Sequence, residues 1–376
     1  MHYLILSSAL AFIITFLCIP VIIEIANKKQ LFDEPDERKL HTEIIPALGG
    51  IGIFAGFIVS LLLCTPEFAK GIIYLKYFAA AATIIFFVGL KDDIMALPAG
   101  KKFIGQIIAA AIVMEFGNIY IDNMYGFLGV YEISKLASVF LTLFAFIVIT
   151  NAFNLIDGVD GLAASLGIIT TLVFGIYFYF ADQMLFSVMA TAACGALLAF
   201  LIYNYSPAKI FMGDTGSLLL GLLNSILVIK FISVAGVEGQ QYSLHASPAI
   251  GFAILMVPLF DTLRVFSVRI LNRKSPFSAD RIHIHHYLLD LGFTHRSVML
   301  TCVTATLGFI AVAYFLRDLN TTLLITVLIS IALCLKSVVY FFRQKAKKAK
   351  KKITKTNVNT GTSKIYSILQ EPVDVN

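Results

Sequence analysis

The feature that most constrains this chain is a series of long apolar segments separated by short polar loops. Segments of roughly 20 apolar residues match the hydrocarbon thickness of a bilayer, and lipid obliges each of them to be helical. Charged residues make up only 14% of the chain, which is too few to cover a soluble protein of this length. We therefore predict an all-α, polytopic membrane protein with about eleven transmembrane helices. The segments lie at about 3–25, 48–65, 72–90, 103–117, 136–153, 161–181, 184–203, 215–235, 247–268, 297–315 and 321–342.

The basic residues of the connecting loops are distributed unevenly between the two sides of the membrane. With alternating spans, the loops on one side contain only Lys70, Lys135 and Arg317, whereas those on the other contain thirteen Lys or Arg residues and a basic tail. The positive-inside rule then predicts an N-out, C-in topology. The tail at 346–376 is predicted to be a basic, disordered cytoplasmic segment close to anionic lipid, and no nucleic-acid partner is expected.

The first two cytoplasmic loops carry basic and acidic pairs. Lys39 and His41 precede Pro46 and a glycine pair, a pattern that suits a bound anion but is also typical of a basic flank ending in a turn. Asp92 and Asp93 follow the third span directly. Adjacent carboxylates at this position indicate either a solvated helix end or a pair that binds a metal or phosphate, with one of them acting as a base.

The third loop contains four oxygen-bearing side chains in ten residues. Asn151, Asn154, Asp157 and Asp160 recur at a spacing of three, and the first three lie near one face of a helix. A simple turn does not need this many amides and carboxylates. Hard oxygen donors suit Mg²⁺, which prefers carboxylates together with substrate phosphates. The sequence therefore favours a functional site at this loop.

The fourth loop runs from Asn204 to Ser217 and enters the eighth span. Asp214 lies between two glycines that permit close backbone approach. Because helix N-termini attract anions, Asp214 is positioned to hold a metal that bridges to a phosphate. Phe211 is a candidate for stacking on a planar base. The structural alternative, that Asp214 caps the helix, leaves the glycines unexplained.

The fifth loop contains three histidines in four residues. His283, His285 and His286 follow Arg281 in a basic loop without a nearby cysteine. Zinc binding, phosphate binding and orientation of a proton-accepting group are all compatible with this pattern, as is a solvated polar loop.

These loops, in this order, resemble those of the polyprenyl-phosphate N-acetylhexosamine-1-phosphate transferase superfamily. The resemblance covers about residues 1–345, which we interpret as a single transmembrane catalytic domain. The histidine run and the Asn-Leu-Ile-Asp-Gly-Val-Asp-Gly stretch resemble the branch that uses UDP-N-acetylglucosamine. The phospho-N-acetylmuramoyl-pentapeptide transferase branch and a UDP-N-acetylgalactosamine donor remain open. The matching motifs are Lys39 with Pro46, Gly49 and Gly50; Asp92 and Asp93; residues 151–160; residues 211–217; and residues 283–286.

The resemblance implies a reaction and its partners. Undecaprenyl phosphate would attack the β-phosphorus of the UDP-sugar, release UMP and form the lipid-linked diphospho-sugar that starts a cell-envelope glycan such as O-antigen or teichoic acid. It further implies Mg²⁺, with Mn²⁺ as an alternative, a bacterial inner membrane location with the active site facing the cytoplasm, contact with membrane lipid, and a homodimer.

The resemblance also implies roles for individual residues. Asp92, Asp93 and Asp214 would be catalytic, and Asp214, Asp92 and Asp157 would bind the metal. The residues expected to bind substrate are Lys39, His41, Asn151, Asn154, Asp157, Asp160, Asn204, Phe211, Arg281, His283, His285 and His286.

Two other classes of protein fit the sequence less well. A transporter of anionic substrates would have polar residues on both faces and at the midplane, often with an internal repeat, and the sequence shows neither pattern. A structural membrane scaffold would leave the five polar loops without an explanation.

Overall fold

A computed structural model describes residues 1–30, 45–237, 239, 242–273 and 282–368, with side chains up to residue 348. A 3-10 turn at Ile72–Tyr74 precedes the third helix. The helices are α1 His2–Lys29, α2 Gly49–Cys64, α3 Leu75–Met95, α4 Ala99–Glu115, α5 Lys135–Ile156, α6 Leu162–Phe180, α7 Met184–Asn204, α8 Gly213–Ala235, α9 Ser247–Ile254, α10 Met256–Leu271, α11 Ile284–Asp290, α12 His295–Phe315 and α13 Thr321–Ile368.

The prediction of an all-α, polytopic membrane protein is confirmed. Each of the eleven apolar segments coincides with a helix or a helix pair. Within the described part of the chain, eight helices are long and apolar enough to cross a membrane, and the bent pair α9 and α10 makes a ninth. Helices α2 and α4 have 16 and 17 residues, fewer than the roughly 20 residues of a typical transmembrane helix, and they are not among these nine. The total of eleven spans and the N-out, C-in orientation stay predictions.

Helix α8 lies at the centre of the bundle. It packs against α2, α3, α5, α6 and α9, and 83% of its most apolar stretch is buried, compared with 17% for α13. A helix that is apolar on every side is suited to such a position. Because α8 begins at Gly213, the loop that precedes it is brought against the ends of the surrounding helices.

The sequence predicted that the ninth apolar segment forms one straight helix, and this prediction is wrong. It breaks at Leu255 into α9 and α10, whose axes differ by 87°. Pro258 lies four residues after Ile254, the last residue of α9. A proline has no N–H to bond to the carbonyl four residues earlier and clashes with it, so the helix ends there. The break turns α10 towards α5 and α12.

The loops at the two ends of the bundle differ in structure. Between α4 and α5 an antiparallel hairpin forms from Asn123–Phe127 and Val130–Glu132, which the sequence did not predict. Its Tyr125 lies against the end of α8, and the backbone N–H of Leu128 donates to the Thr322 hydroxyl at the start of α13. At the far end of α13, the helix continues through 346–368, where the sequence predicted disorder.

Candidate active site

Polar ends of α4, α5 and α11 surround a cavity of about 570 Å³ at the end of the bundle opposite the hairpin. This volume lies in the range of ligand pockets. The cavity brings together residues that are more than 180 positions apart, since His283 and Lys102 both line it. Its polar lining residues are Lys102, Gln106, Asn151, Asn154, Asp157, Arg269, His283, His285 and His286.

Lys102 occupies the centre of the acidic cluster beside this cavity. Its ammonium contacts Asp214 closely and lies 3.2 Å from Asp92 Oδ2. Asn154 donates to Asp214 Oδ1 at 2.6 Å and to Ser217 Oγ at 2.9 Å. The structure therefore joins Asp92, Asn154 and Asp214, three residues predicted from separate loops, around one cation.

Sequence reasoning counted Lys102 only as a basic loop residue and missed it as part of the site. A signal was present in the spacing of α4. Lys102 lies four residues before Gln106, which is 3% exposed, and Ala109, Ala110 and Val113 continue the same buried face. A lysine at the end of a buried helix face, on the side of the carboxylates, has to point towards them.

Asp157 adds a further carboxyl group to the cluster. Burial raises the pKa of Asp157 well above its usual range, and the nearby carboxylates of Asp214, Asp93 and Asp160 raise it further. Among the described residues, no three His, Cys, Asp or Glu side chains form a preassembled metal site. The donor set of carboxylates and amides fits Mg²⁺, which needs few protein ligands when substrate phosphates supply others.

Asp93 is not among the residues that line the cavity, and its carboxylate holds the start of α8. Its two carboxylate oxygens accept from the backbone N–H groups of Asp214 at 2.7 Å and Thr215 at 2.9 Å, and from the Thr215 hydroxyl. Gly213 adopts φ +69°, and a Cβ there would lie 2.6 Å from Asp93 Oδ2. The carboxylate predicted to be catalytic is therefore engaged in fixing the helix N-terminus.

Two other predicted substrate contacts are buried among protein groups. The Asn204 side chain accepts from Gly161 N–H and donates to Ile210 C=O, both at 2.8 Å. Asp160 lies 3.1 Å from His295 Nδ1 and accepts from Ala208 N–H. Neither residue is among those lining the cavity. Their polar atoms bond to neighbouring segments and support the loops around the site, and substrate contacts by Asn204 and Asp160 stay a prediction.

The remaining predicted side chains divide between the cavity and other places. Asn151 lines the cavity and donates to Gln106 Oε1 at 2.9 Å. Phe211 is tied through its backbone to Pro46 and Gly49 and is not among the cavity-lining residues, so its stacking on a base stays a prediction. Lys39, His41 and Arg281 lie outside the described residues.

The histidines form one wall of the cavity. The rings of His283 and His285 are nearly parallel, and the ring centroids of His285 and His286 are 4.3 Å apart. Burial lowers the pKa of His285 to about 3, and the charge of His286 contributes to the shift. His285 is therefore neutral at pH 7, and it can offer a hydrogen bond but no positive charge to a phosphate.

The helix that carries the histidines is anchored by α13. The Arg343 guanidinium lies 3.9 Å from the centroid of the Tyr287 ring and 2.6 Å from Asp290 Oδ2. Burial acts to raise the pKa of Asp290, but Arg343 and Lys347 outweigh it and lower that pKa. The last helix thus holds α11 in place through an aromatic contact and an ion pair.

We expect Arg343→Ala to lower the free energy of unfolding at pH 7 by about 1 kcal/mol, the sum of a partly exposed ion pair and a cation–π contact. The contribution of the ion pair should begin to fall when the pH drops below about 3.9, the pKa of an Asp side chain in an unfolded chain, and it should be lost as the pH falls through the lowered pKa of Asp290 in the folded protein. The reason is that a protonated carboxyl group no longer attracts Arg343. Thermal unfolding of both proteins at pH 7 and pH 3 measures this. Arg317→Ala, which removes a similar contact with Tyr314, serves as the control, and an equal loss at both pH values would contradict the ion-pair contribution.

Comparisons with known proteins give a matching family profile and several named relatives. Residues 75–232 match the sequence profile described as glycosyl transferase family 4. The chain is 33% identical over 313 residues to the decaprenyl-phosphate N-acetylglucosaminephosphotransferase of Mycobacterium leprae, covering 77% of this chain and 78% of that protein. It is 31% identical over 296 residues to the undecaprenyl-phosphate alpha-N-acetylglucosaminyl 1-phosphate transferase of Escherichia coli K12, covering 77% and 78%.

Proposed function

The chain belongs to glycosyl transferase family 4, and on this basis we propose that it transfers N-acetylglucosamine 1-phosphate from UDP-N-acetylglucosamine to undecaprenyl phosphate. One observation carries the proposal most directly. A cavity of about 570 Å³ with a wall of three histidines lies next to a lysine held between two carboxylates. Both relatives are named for N-acetylglucosamine phosphate transfer to a polyprenyl phosphate, which favours this donor over the alternatives.

The reaction exchanges one phosphoanhydride bond for another. An oxygen of the lipid phosphate bonds to the β-phosphorus of the UDP-sugar, and the bond from that phosphorus to the oxygen bridging the two phosphates breaks. UMP leaves with the bridging oxygen. Such a step needs charge neutralisation and alignment rather than a covalent contribution from the protein. Lys102 is positioned to neutralise phosphate charge, and Asp92 to orient or deprotonate the lipid phosphate.

We further propose that Asp214, Asp92 and Asp157 hold Mg²⁺, or Mn²⁺ in its place. The support is the donor chemistry together with Lys102, whose ammonium already balances the charge of two of these carboxylates. When bound, the cation would neutralise charge on the diphosphate. Asn154 would orient Asp214 through the hydrogen bond described above.

We place the site on the cytoplasmic side of a bacterial inner membrane. The support is the concentration of basic residues at the site end of the bundle, in helix ends and loops, including Lys91, Lys101 and Arg273. The glycan pathway supplied and a homodimer stay predictions. The same holds for substrate contacts by Lys39, His41 and Arg281.

Release of UMP tests the proposal. Purified protein is incubated with undecaprenyl phosphate, UDP-N-acetylglucosamine and Mg²⁺, with one control lacking the lipid and another containing EDTA. We expect release that requires both lipid and metal. Replacing the donor by UDP-N-acetylgalactosamine tests the sugar preference. Absence of release with every UDP-N-acetylhexosamine would contradict the proposed reaction.

Lys102→Met provides a separate prediction about the metal. Loss of the ammonium should increase the affinity of the acidic cluster for Mg²⁺ by about tenfold, because a like charge no longer opposes the cation. Turnover at saturating Mg²⁺ should fall by about 10²-fold, because a positive group next to the phosphates is lost. UMP release measured across a Mg²⁺ titration separates the two effects.

The matched control is Lys101→Met, which removes an exposed neighbouring lysine that lines a separate surface groove. It should leave the Mg²⁺ titration unchanged. If the Mg²⁺ concentration that gives half-maximal turnover were the same for Lys102→Met and the wild type, the Lys102 ammonium would not oppose binding of the metal at these carboxylates.

A further inference from the structure

Asp261 is a buried acidic residue that lies outside the acidic cluster. It is on α10, and its side chain is 2% exposed. A buried carboxylate is costly unless it is paired and hydrogen-bonded. Arg264, one turn later on the same helix, forms an ion pair with Asp261 at 2.7 Å.

The other contacts of this carboxylate reach a different segment of the chain. Asp261 Oδ2 lies 2.8 Å from His283 Nδ1, and Oδ1 accepts from Ile284 N–H at 3.0 Å. Arg264 also donates to the carbonyl of Ile282 at 2.5 Å. The carboxylate and its arginine therefore hold three consecutive residues at the start of α11.

This arrangement determines how the His283 ring is presented. A carboxylate paired with an arginine accepts hydrogen bonds, so the proton of the His283 ring resides on Nδ1. Nε2, on the other side of the ring, is left as the atom available to a ligand. His283 is 4% exposed and lines the cavity, so its ring is shielded from bulk solvent and borders the space that a ligand would occupy. A histidine whose second nitrogen is fixed by a carboxylate has a defined tautomer and orientation.

We propose that Asp261 is a positioning residue for the transfer reaction, which fixes the tautomer and orientation of His283 towards the sugar diphosphate. The inference rests on the proposed function. Asp261 does not contact the substrate, and its effect passes through His283. The helix break associated with Pro258 contributes to this positioning, because it brings α10 and the Asp261 carboxylate beside α11.

Asp261→Asn, His283→Asn and the double variant test the proposal in a mutant cycle. The asparagine amide at 261 would donate to Nδ1 and move the ring proton to Nε2, so kcat for UMP release should fall by about 10²-fold or more, with a smaller change in KM. In the His283→Asn background, Asp261→Asn should change kcat by no more than about threefold, since no tautomer remains to be set. An equal loss in both backgrounds would show a merely structural role and overturn the inference.

His283→Asn alone gives a result that does not depend on whether Asp261→Asn folds. The asparagine amide reproduces the donor at Nδ1 and keeps the bond to Asp261, but it lacks a counterpart of Nε2. We expect a thermal midpoint close to that of the wild type with a strongly reduced kcat. Full turnover by His283→Asn would overturn the inference. Absence of UMP release by the wild type would instead contradict the proposed function itself.

Discussion

Asp214→Asn is expected to reduce UMP release by about 10²- to 10³-fold, the range found when a charge-stabilising group is removed from an active site. The substitution keeps the size of the side chain and an oxygen that can accept from Asn154. It removes the negative charge that faces Lys102 and that is proposed to bind Mg²⁺. The loss should therefore appear in turnover and in the Mg²⁺ requirement rather than in folding. Turnover at several Mg²⁺ concentrations, together with the thermal midpoint, measures both.

The start of α8 should remain intact in this variant. Asp93 holds the backbone N–H groups of residues 214 and 215, and these groups do not depend on the side chain at 214. Asp182→Asn is a matched control, because Asp182 forms an exposed ion pair with Lys70 at the other end of the bundle. It should leave turnover unchanged. An Asp214→Asn protein with full turnover and an unchanged response to EDTA would refute the metal assignment.

Gly89→Ala is expected to lower the free energy of unfolding by about 1–3 kcal/mol, the usual cost of overpacking, and to reduce UMP release sharply. A Cβ at this position would lie 2.5 Å from Thr215 Cα, 2.6 Å from Thr215 N and 2.7 Å from the carbonyl carbon of Asp214. All three are backbone atoms and cannot rotate away, so α3 and α8 would have to separate.

The separation would act directly on the site. Asp92 and Asp93 lie three and four residues after Gly89 and therefore on the same face of α3. Moving this face outward lengthens the hydrogen bonds of Asp93 to α8 and the distance between Asp92 and Lys102. Thermal unfolding and turnover of the same preparation measure the two consequences together.

Gly308→Ala is the matched control, because a Cβ at this helical position would meet no atom within 4 Å. It should be neutral or stabilise the protein by up to about 1 kcal/mol, the difference in helix propensity between the two residues. If Gly89→Ala and Gly308→Ala had the same thermal midpoint and the same rate of UMP release, the close approach of α3 and α8 would not be required for the site.

The fold class could be predicted from the sequence because the membrane leaves the chain few choices. Apolar segments of sufficient length have to form helices, and their loops have to emerge at one end or the other. The sequence therefore also predicted that Asp92, Asn154, Asp214 and His283 share one end. It did not predict the break of the ninth segment, although Pro258 was a visible cause of it.

Which polar residues reach the cavity was decided by the tertiary structure. Asn154 and Asp160 belong to the same sequence motif and have similar chemistry, yet Asn154 bonds to Asp214, whereas Asp160 is buried against His295. Asp92 and Asp93 are adjacent, yet Asp92 faces Lys102 and Asp93 faces the start of α8. Spacing along the chain determines the end of the bundle at which a side chain lies. Its partner depends on how helices distant in sequence are rotated and how closely they cross, and that is determined only when they pack together.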